Sequence, residues 1–238
     1  MRKVFEIGGV VAAAVLIAFG IAAIVMGSNG QNTVNSSIKQ EQITGTPDMS
    51  PNGIAAEVKS AQTAQTALFG KLNAAGVKLA PSPIVTPGCT VAGQFVDNGD
   101  KARCFAQYMR IHTFGATSGE TYSQMGRFRA LPNAPLKATD GQGGTSDPKY
   151  ALVDPKTKQP VNNGLRDLWV TYTALTTALN TSYMASQVAL FGIVVGIALL
   201  LSGIGFGILA IGGALRSPEP ALGFLRRWAH KDTAVPAV

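Results

Sequence analysis

Long uncharged apolar stretches lie near both ends of the 238-residue chain, and a mixed polar sequence separates them. The first covers residues 7–27 and the second residues 187–215, and both are rich in glycine. At 1.5 Å per residue a helix over the first stretch is about 31 Å long, which equals the thickness of a hydrocarbon core. Soluble helices avoid such lengths without a charge, so the pattern predicts two transmembrane helices.

A cleaved signal peptide is an alternative interpretation of the first stretch. Arg2 and Lys3 precede it, and the residues at its end, Val25-Met26-Gly27, are small enough for a cleavage site. Signal cores usually contain about 7–15 apolar residues, whereas this stretch has roughly twenty. The length favours a retained transmembrane helix.

Basic residues predict the orientation of the two helices. They lie on the terminal side of both apolar stretches, in residues 1–6 and in residues 216–238. By the positive-inside rule both termini face the cytoplasm, which makes residues 28–186 an extracytoplasmic domain of a plasma-membrane protein. The last segment contains a short basic amphipathic piece that is expected to lie on the anionic inner leaflet as an anchor: Arg226, Arg227, Trp228 and Lys231.

Apolar residues recur at helical spacing within the middle domain. Ser50 is the expected cap of an amphipathic helix over residues 51–75, and Asp100 is the expected cap of a second helix over residues 101–113. The polar segment after residue 28 is expected to extend the first apolar helix.

The remainder of the domain is expected to be less regular. Residues 120–130 favour a further short helix, residues 131–148 an exposed, mobile loop, and residues 150–161 a short strand with a turn. From residue 165 an apolar stripe runs into the second apolar stretch with no proline, which predicts one continuous helix to about residue 213. The predicted fold is a mainly α membrane protein with two transmembrane helices, a mostly helical extracytoplasmic domain with minor β structure, and a long helix from that domain through the second span.

Only two cysteines occur, Cys89 and Cys104, and both lie in the middle domain. An oxidising compartment would join them in a disulfide, and two unpaired buried thiols are the alternative. A closed loop of about 15 residues would stabilise the fold by roughly 3 kcal/mol in the chain-entropy model. Because two cysteines and two histidines leave little material for a metal site, we expect neither a metal nor a cofactor.

Glycines recur four residues apart in the second apolar stretch, as Gly192 with Gly196 and as Gly203 with Gly207. This spacing allows helix backbones to approach closely in lipid. The partner is either a second copy of the chain or the first apolar helix, which also carries small residues. We favour the pairing of the chain's own two helices.

Residues suited to chemistry are concentrated between positions 103 and 129: Tyr108, Arg110, His112, Glu120, Tyr122 and Arg127. A histidine near a glutamate and a tyrosine offers the groups that acid–base catalysis needs. The same residues equally fit the polar edge of a surface helix, and we favour this second interpretation. Nucleic acid is not an expected partner, because the domain contains no basic run.

Four segments resemble a family of uncharacterised actinobacterial membrane proteins with two spans: residues 1–9 (MRKVFEIGG), 103–112 (RCFAQYMRIH), 121–127 (TYSQMGR) and 178–185 (ALNTSYMA). Some members carry the label aromatic ring-opening dioxygenase, but the resemblance implies no established activity. Ring opening by non-haem iron generally needs two histidines and a carboxylate on one metal. His112 and His230 lie on opposite sides of the membrane in the predicted topology, so one subunit cannot assemble that site.

The sequence therefore favours a non-enzymatic integral membrane protein that presents an extracytoplasmic domain for interaction or structural support in the cell envelope. Its expected partners are the lipid bilayer and either another envelope protein or a second copy of the chain. Two alternatives stay open. One is an extracytoplasmic ligand-binding or sensor module that signals through a partner, and the other is an enzyme, with ring-opening dioxygenase chemistry disfavoured.

Overall fold

The computed structural model describes residues 2–140 and 142–212 and is mainly helical, with little strand, as predicted. Four α-helices, numbered α1 to α4 in chain order, make up most of it: Arg2–Gln40, Pro51–Ala74, Gly99–Ala116 and Gly164–Gly212. Two short strands pair antiparallel, β1 (Phe128–Arg129) and β2 (Gly144–Thr145). Two 3₁₀ turns complete the regular structure, at Leu136–Ala138 and Pro148–Tyr150.

Contacts divide the chain into two compact units. Among the described residues, the helix-pair unit contains α1 up to Thr33 and α4 from Gln187 onwards. The central unit is Val34–Ser186 and contains the end of α1, both middle helices, the strands and the beginning of α4.

Helices α1 and α4 are each long enough and apolar enough to cross a membrane. Helix α1 continues past residue 28 to Gln40, and α4 runs without a break from Gly164 to Gly212, the last described residue. Both predicted long helices are confirmed as helices. The predicted membrane-surface anchor lies outside the described residues: Arg226, Arg227, Trp228 and Lys231.

Small residues form the contact between α1 and α4 in the helix-pair unit. A Cβ atom added to Gly20 would lie 2.8 Å from the carbonyl oxygen of Gly196, and one added to Gly196 would lie 2.8 Å from that of Gly20. A Cβ on Gly203 would lie 3.0 Å from an α1 carbonyl oxygen, while Gly192 and Gly207 face α1 at ordinary contact distances. The side of α4 that carries the four glycines therefore packs against α1.

Helix α2 begins at the predicted position. The Ser50 hydroxyl accepts a hydrogen bond from the backbone N–H of Gly53 at 3.1 Å, and Pro51 occupies the first turn. The helix ends at Ala74, since the chain leaves the helical conformation at Gly76, which has a φ of +86°.

Helix α3 begins two residues earlier than predicted. Its cap is Asn98, whose side chain accepts a hydrogen bond from the backbone N–H of Lys101 at 3.0 Å. The predicted cap, Asp100, instead lies in the first turn, where its negative charge interacts favourably with the positive end of the helix dipole. The helix ends at Ala116, before Ser118 and Gly119 adopt positive φ angles.

All four helices contribute to the hydrophobic core of the central unit. Trp169 lies at its centre, with its ring 5.4 Å from that of Phe114 and 5.0 Å from that of Tyr172, both in edge-to-face contact. Further buried residues of this core come from α1, α2 and α3: Ile38, Ile54, Val58, Ala61, Tyr108 and Ile111. The second half of the α2 stripe forms a separate small cluster, in which Leu68, Phe69 and Leu72 pack with Val77 and Leu79.

The segment after α3 does not form the short helix predicted for residues 120–130. It contains turns and strand β1 instead. Two of its backbone donors bind side chains: Thr121 N–H donates to the side chain of Gln124, and Gly126 N–H donates to Asp140. Two others, Arg129 N–H and Ala130 N–H, donate to the distant carbonyl oxygens of Val161 and Gly143, so these bonds replace the helical pattern.

The loop predicted to be exposed over residues 131–148 is partly buried. Asp140, Gly144 and Thr145 are buried, and the last two form strand β2. The strand predicted to begin near residue 150 is reduced to isolated bridges, including the pair Val153 and Pro160. Side-chain bonds to Asp140 hold the loop in place, a feature that glycine-rich composition does not reveal.

Candidate functional site

A disulfide joins Cys89 to Cys104, as predicted, with Cα atoms 6.0 Å apart. It ties the loop before α3 to the first half of that helix. One turn later the hydroxyl of Tyr108 donates a hydrogen bond to the backbone carbonyl of Cys89. Tyr108 is fully buried, and burial raises the pKa of its phenol, so the hydroxyl keeps the proton that it donates. These links hold α3, which also carries His112.

His112 lies between two carboxylates that come from other elements. Its Nδ1 atom is 3.1 and 3.0 Å from the two carboxyl oxygens of Glu57, on α2. Its Nε2 atom is 3.4 Å from Oδ2 of Asp48, in the loop before α2. All three side chains are partly exposed, and one nitrogen or oxygen atom from each lies within 4.8 Å of the others. We call these three residues the His112 cluster.

Two glycines leave space beside the His112 cluster, one next to the carboxylate of Glu57 and one next to the backbone of Asp48. A Cβ atom on Gly115 would lie 2.7 Å from Oε1 of Glu57, and one on Gly53 would lie 2.7 Å from the carbonyl oxygen of Asp48. A hydrogen bond from the side chain of Thr46 is the main cause that holds the pKa of Asp48 below its usual value, with a smaller contribution from the imidazole. In the described part of the chain, neither carboxylate pairs with a lysine or arginine.

Glu120 is fully buried just after the end of α3. Within the described ranges, neither of its carboxyl oxygens has a hydrogen-bond partner. Burial raises the pKa of this carboxyl to about 9, and the nearby carboxylate of Asp140 adds to the rise. The side chain of Glu120 is therefore neutral at pH 7, which removes most of the cost of burying it.

Asp140 holds the glycine-rich loop through two of its backbone N–H groups and binds a third N–H group in the segment after α3. Its Oδ1 accepts hydrogen bonds from Gln142 at 3.1 Å and Gly144 at 2.8 Å, and its Oδ2 accepts one from Gly126. The loop lines an open cleft of about 530 Å³. Both apolar and charged residues line this cleft, among them Val77, Leu79, Lys137, Asp147 and Tyr150.

The remaining residues of the predicted polar group lie in separate surroundings. The guanidinium of Arg110 lies 4.8 Å from the ring centre of Phe114, and that of Arg166 lies 4.0 Å from the ring centre of Tyr122. Arg127 is exposed. Within the described residues, no hydrogen bond, ion pair or ring contact joins any two members of the predicted group: Tyr108, Arg110, His112, Glu120, Tyr122 and Arg127.

Asp48 and Glu57 are partners of His112 that sequence spacing does not reveal. Glu57 precedes the histidine by 55 residues, and only the packing of α2 against α3 brings them together. The sequence around Glu57 gives only a weak indication of this contact, since Glu57 is next to Val58 at the edge of the buried stripe of α2. A position at such an edge is typical of solvated glutamates as well.

Comparisons with protein-family models, with curated proteins and with solved structures gave no match to this chain. The resemblance of the four sequence segments therefore stays a prediction. The geometry of the central unit offers three features with chemical character: the His112 cluster, the neutral buried Glu120, and the open cleft beside Asp140.

Proposed function

We propose that this chain is an integral membrane protein that crosses the plasma membrane twice and presents residues 28–186 as an extracytoplasmic domain for contact with another envelope component. One observation carries the proposal. Helices α1 and α4 pair through small residues and leave large apolar side chains exposed, including Phe19 at 65% and Phe191 at 68%. Such a surface is unfavourable in water and favourable in lipid.

The disulfide and the basic termini support the proposed orientation. Cys89 and Cys104 pair in the central unit, and such bonds persist in oxidising compartments outside the cytoplasm. Basic residues flank the apolar stretches on their terminal sides, in residues 1–6 and 216–238. Positive charge of this kind favours the cytoplasmic side, which supports a cytoplasmic position for both termini.

The polar residues of the central unit make structural contacts, which supports a contact function over catalysis. Tyr108 is engaged in a bond to the backbone, while Arg110 and Arg166 lie on aromatic rings. The unit also exposes apolar side chains that its own core does not cover, among them Val85 at 70% and Leu168 at 39%. Exposed apolar residues on a folded unit supply the contact area that protein partners bury.

Photo-crosslinking in intact cells tests this proposal. A photoreactive residue is placed at Val85 or at Leu168, and a matched control is placed at Lys156, an exposed position in the turn before α4. We expect the first two positions to capture one defined envelope protein, or a second copy of the chain, that Lys156 does not capture. Capture of the same mixture of abundant proteins from all three positions would contradict a contact function.

The open cleft favours a second candidate function, a ligand-binding module. Lys137 and Asp147 provide opposite charges there, and Tyr150 with Val77 and Leu79 provides apolar surface. A ligand of this cleft would raise the melting temperature of the purified chain. The same ligand would have no effect on a Lys137→Ala variant, and an equal rise in both proteins would exclude the cleft as its site.

A further inference from the structure

We propose that the His112 cluster is a binding site for a divalent transition metal ion such as Zn²⁺. A neutral imidazole carries one N–H group and one nitrogen with a lone pair. In the His112 cluster both nitrogens face carboxylate oxygens, at 3.0 and 3.4 Å. One nitrogen donates to a carboxylate, and the other meets the second carboxylate through either a second ring proton or a metal ion.

The distance between His112 and Asp48 matches the spacing of ligand atoms around zinc. Zinc binds nitrogen and carboxylate oxygen at about 2.0–2.2 Å, so neighbouring ligand atoms in a tetrahedral site are about 3.4 Å apart. Nε2 of His112 and Oδ2 of Asp48 are separated by 3.4 Å. These two atoms therefore have the spacing of adjacent ligands on one metal ion.

Glu57 occupies the position of the residue that orients a metal-binding histidine. Its carboxylate faces Nδ1, the nitrogen that is not directed at Asp48. A carboxylate in this place fixes the proton on Nδ1 and leaves the lone pair of Nε2 for the metal. We assign Asp48 and His112 as ligands and Glu57 as the positioning residue.

Charge and access fit the same assignment. Two carboxylates lie beside one imidazole, and within the described segments no lysine or arginine pairs with them. A divalent cation would balance this charge, and a mixed nitrogen and oxygen set suits first-row transition metals. The side chains of His112 and Asp48 are 28% and 42% exposed, so an ion can enter and water can complete its coordination. Gly115 leaves room for the carboxylate of Glu57 beside the ring.

Titration calorimetry with Zn²⁺ tests the site on the full chain, purified in detergent and stripped with EDTA. We expect one Zn²⁺ ion per chain. His112→Gln and Asp48→Asn should weaken binding by roughly 100-fold or more, and Glu57→Gln by roughly 10–100-fold, as is usual for a residue that orients a ligand. Circular dichroism in EDTA identifies variants that keep the wild-type helix content, and His112→Asn replaces His112→Gln if the latter loses it.

Two control variants separate this site from adventitious binding. Asp154→Asn removes a partly exposed carboxylate in the turn before α4, outside the His112 cluster, and His230→Gln removes the other histidine of the chain. Both should bind Zn²⁺ like the wild type, and X-ray absorption of the loaded protein should show one imidazole ligand. Absence of binding at millimolar Zn²⁺ would overturn the proposal and leave a shared proton as the cation. Unchanged affinity in His112→Gln, or loss of binding in His230→Gln, would overturn it as well.

Discussion

The indole Nε1–H of Trp169 donates a hydrogen bond to the backbone carbonyl of Glu120, and the two atoms are 2.9 Å apart. Both residues are buried, so water does not compete for this bond. The bond joins the beginning of α4 to the segment that follows α3. It also fixes the backbone of a residue whose carboxyl group has no partner in the described structure.

Trp169→Phe should destabilise the central unit. The change removes the hydrogen bond to Glu120 and leaves space beside Phe114, which together cost about 2 kcal/mol. Thermal unfolding of the purified chain measures the effect as a lower melting temperature. Val170→Ala, at an exposed neighbouring position, is the control and should leave the melting temperature nearly unchanged. Equal melting temperatures for wild type and Trp169→Phe would show that the indole bond contributes nothing.

Glu120 should make the stability of the chain fall as the pH rises. In the folded state its carboxyl keeps the proton up to about pH 9, whereas in the unfolded chain it releases the proton near its ordinary value of 4.5. Its stabilising contribution is therefore complete below about pH 4.5 and is lost progressively towards pH 9. At pH 7 the loss relative to acid pH is about 3 kcal/mol.

Glu120→Gln tests this pH dependence, because the amide has nearly the same shape and does not titrate. Between pH 5 and pH 9 the variant should lose less stability than the wild type, as measured by melting temperatures across that range. Glu41→Gln, which changes an exposed carboxyl, serves as the control and should follow the wild-type curve. Parallel curves for Glu120→Gln and wild type would show that Glu120 is ionised in the folded state.

Reduction of the disulfide should weaken the central unit. The bond between Cys89 and Cys104 closes a loop with a sequence separation of 15 residues. In the chain-entropy model such a closure stabilises the folded state by roughly 3 kcal/mol. A reductant should lower the melting temperature of the wild type and have no effect on the double variant Cys89→Ser/Cys104→Ser. A wild-type melting temperature that is insensitive to complete reduction would be inconsistent with this role.

Bulk at Gly196 should separate α1 from α4, whereas the same bulk at Gly205 should not. A Cβ atom on Gly196 would lie 2.8 Å from a carbonyl oxygen of α1, but a Cβ on Gly205 meets no atom within 4 Å. Gly196→Val should therefore lower the melting temperature of the chain in detergent, and Gly205→Val should leave it unchanged. Equal effects of the two variants would indicate that helix propensity, rather than contact with α1, determines the result.

Local signals explain why most of the helical structure could be predicted. Ser50 and Pro51 mark the beginning of α2, and the apolar stripe from residue 165 continues into the second apolar stretch, where α4 runs unbroken. These signals depend on residues within a few turns of each other. The sequence alone does not separate Asp100, the predicted cap of α3, from Asn98, the observed cap, because both residue types favour that position.

Tertiary contacts explain what could not be predicted. Glu120 and Met125 are buried in a segment that the sequence pattern predicts to be a helix. Asp140 accepts a hydrogen bond from the backbone N–H of Gly126, which is 14 residues away in the sequence. The partners of His112 come from parts of the chain with no shared motif. The residue type alone marks His112 as a candidate for chemistry. Only the packing of the helices determines that its neighbours are Asp48 and Glu57 and not Glu120 and Tyr122.

The proposed function requires that the two apolar helices cross a membrane and that the central unit lies outside the cytoplasm. Labelling of single cysteines with a membrane-impermeant maleimide measures this directly, because the native cysteines are paired and do not react. A cysteine introduced by Lys156→Cys should react in intact cells, whereas one introduced by Ser217→Cys should react only after the membrane is permeabilised. The opposite pattern, or equal labelling of both positions in intact cells, would contradict the proposed topology.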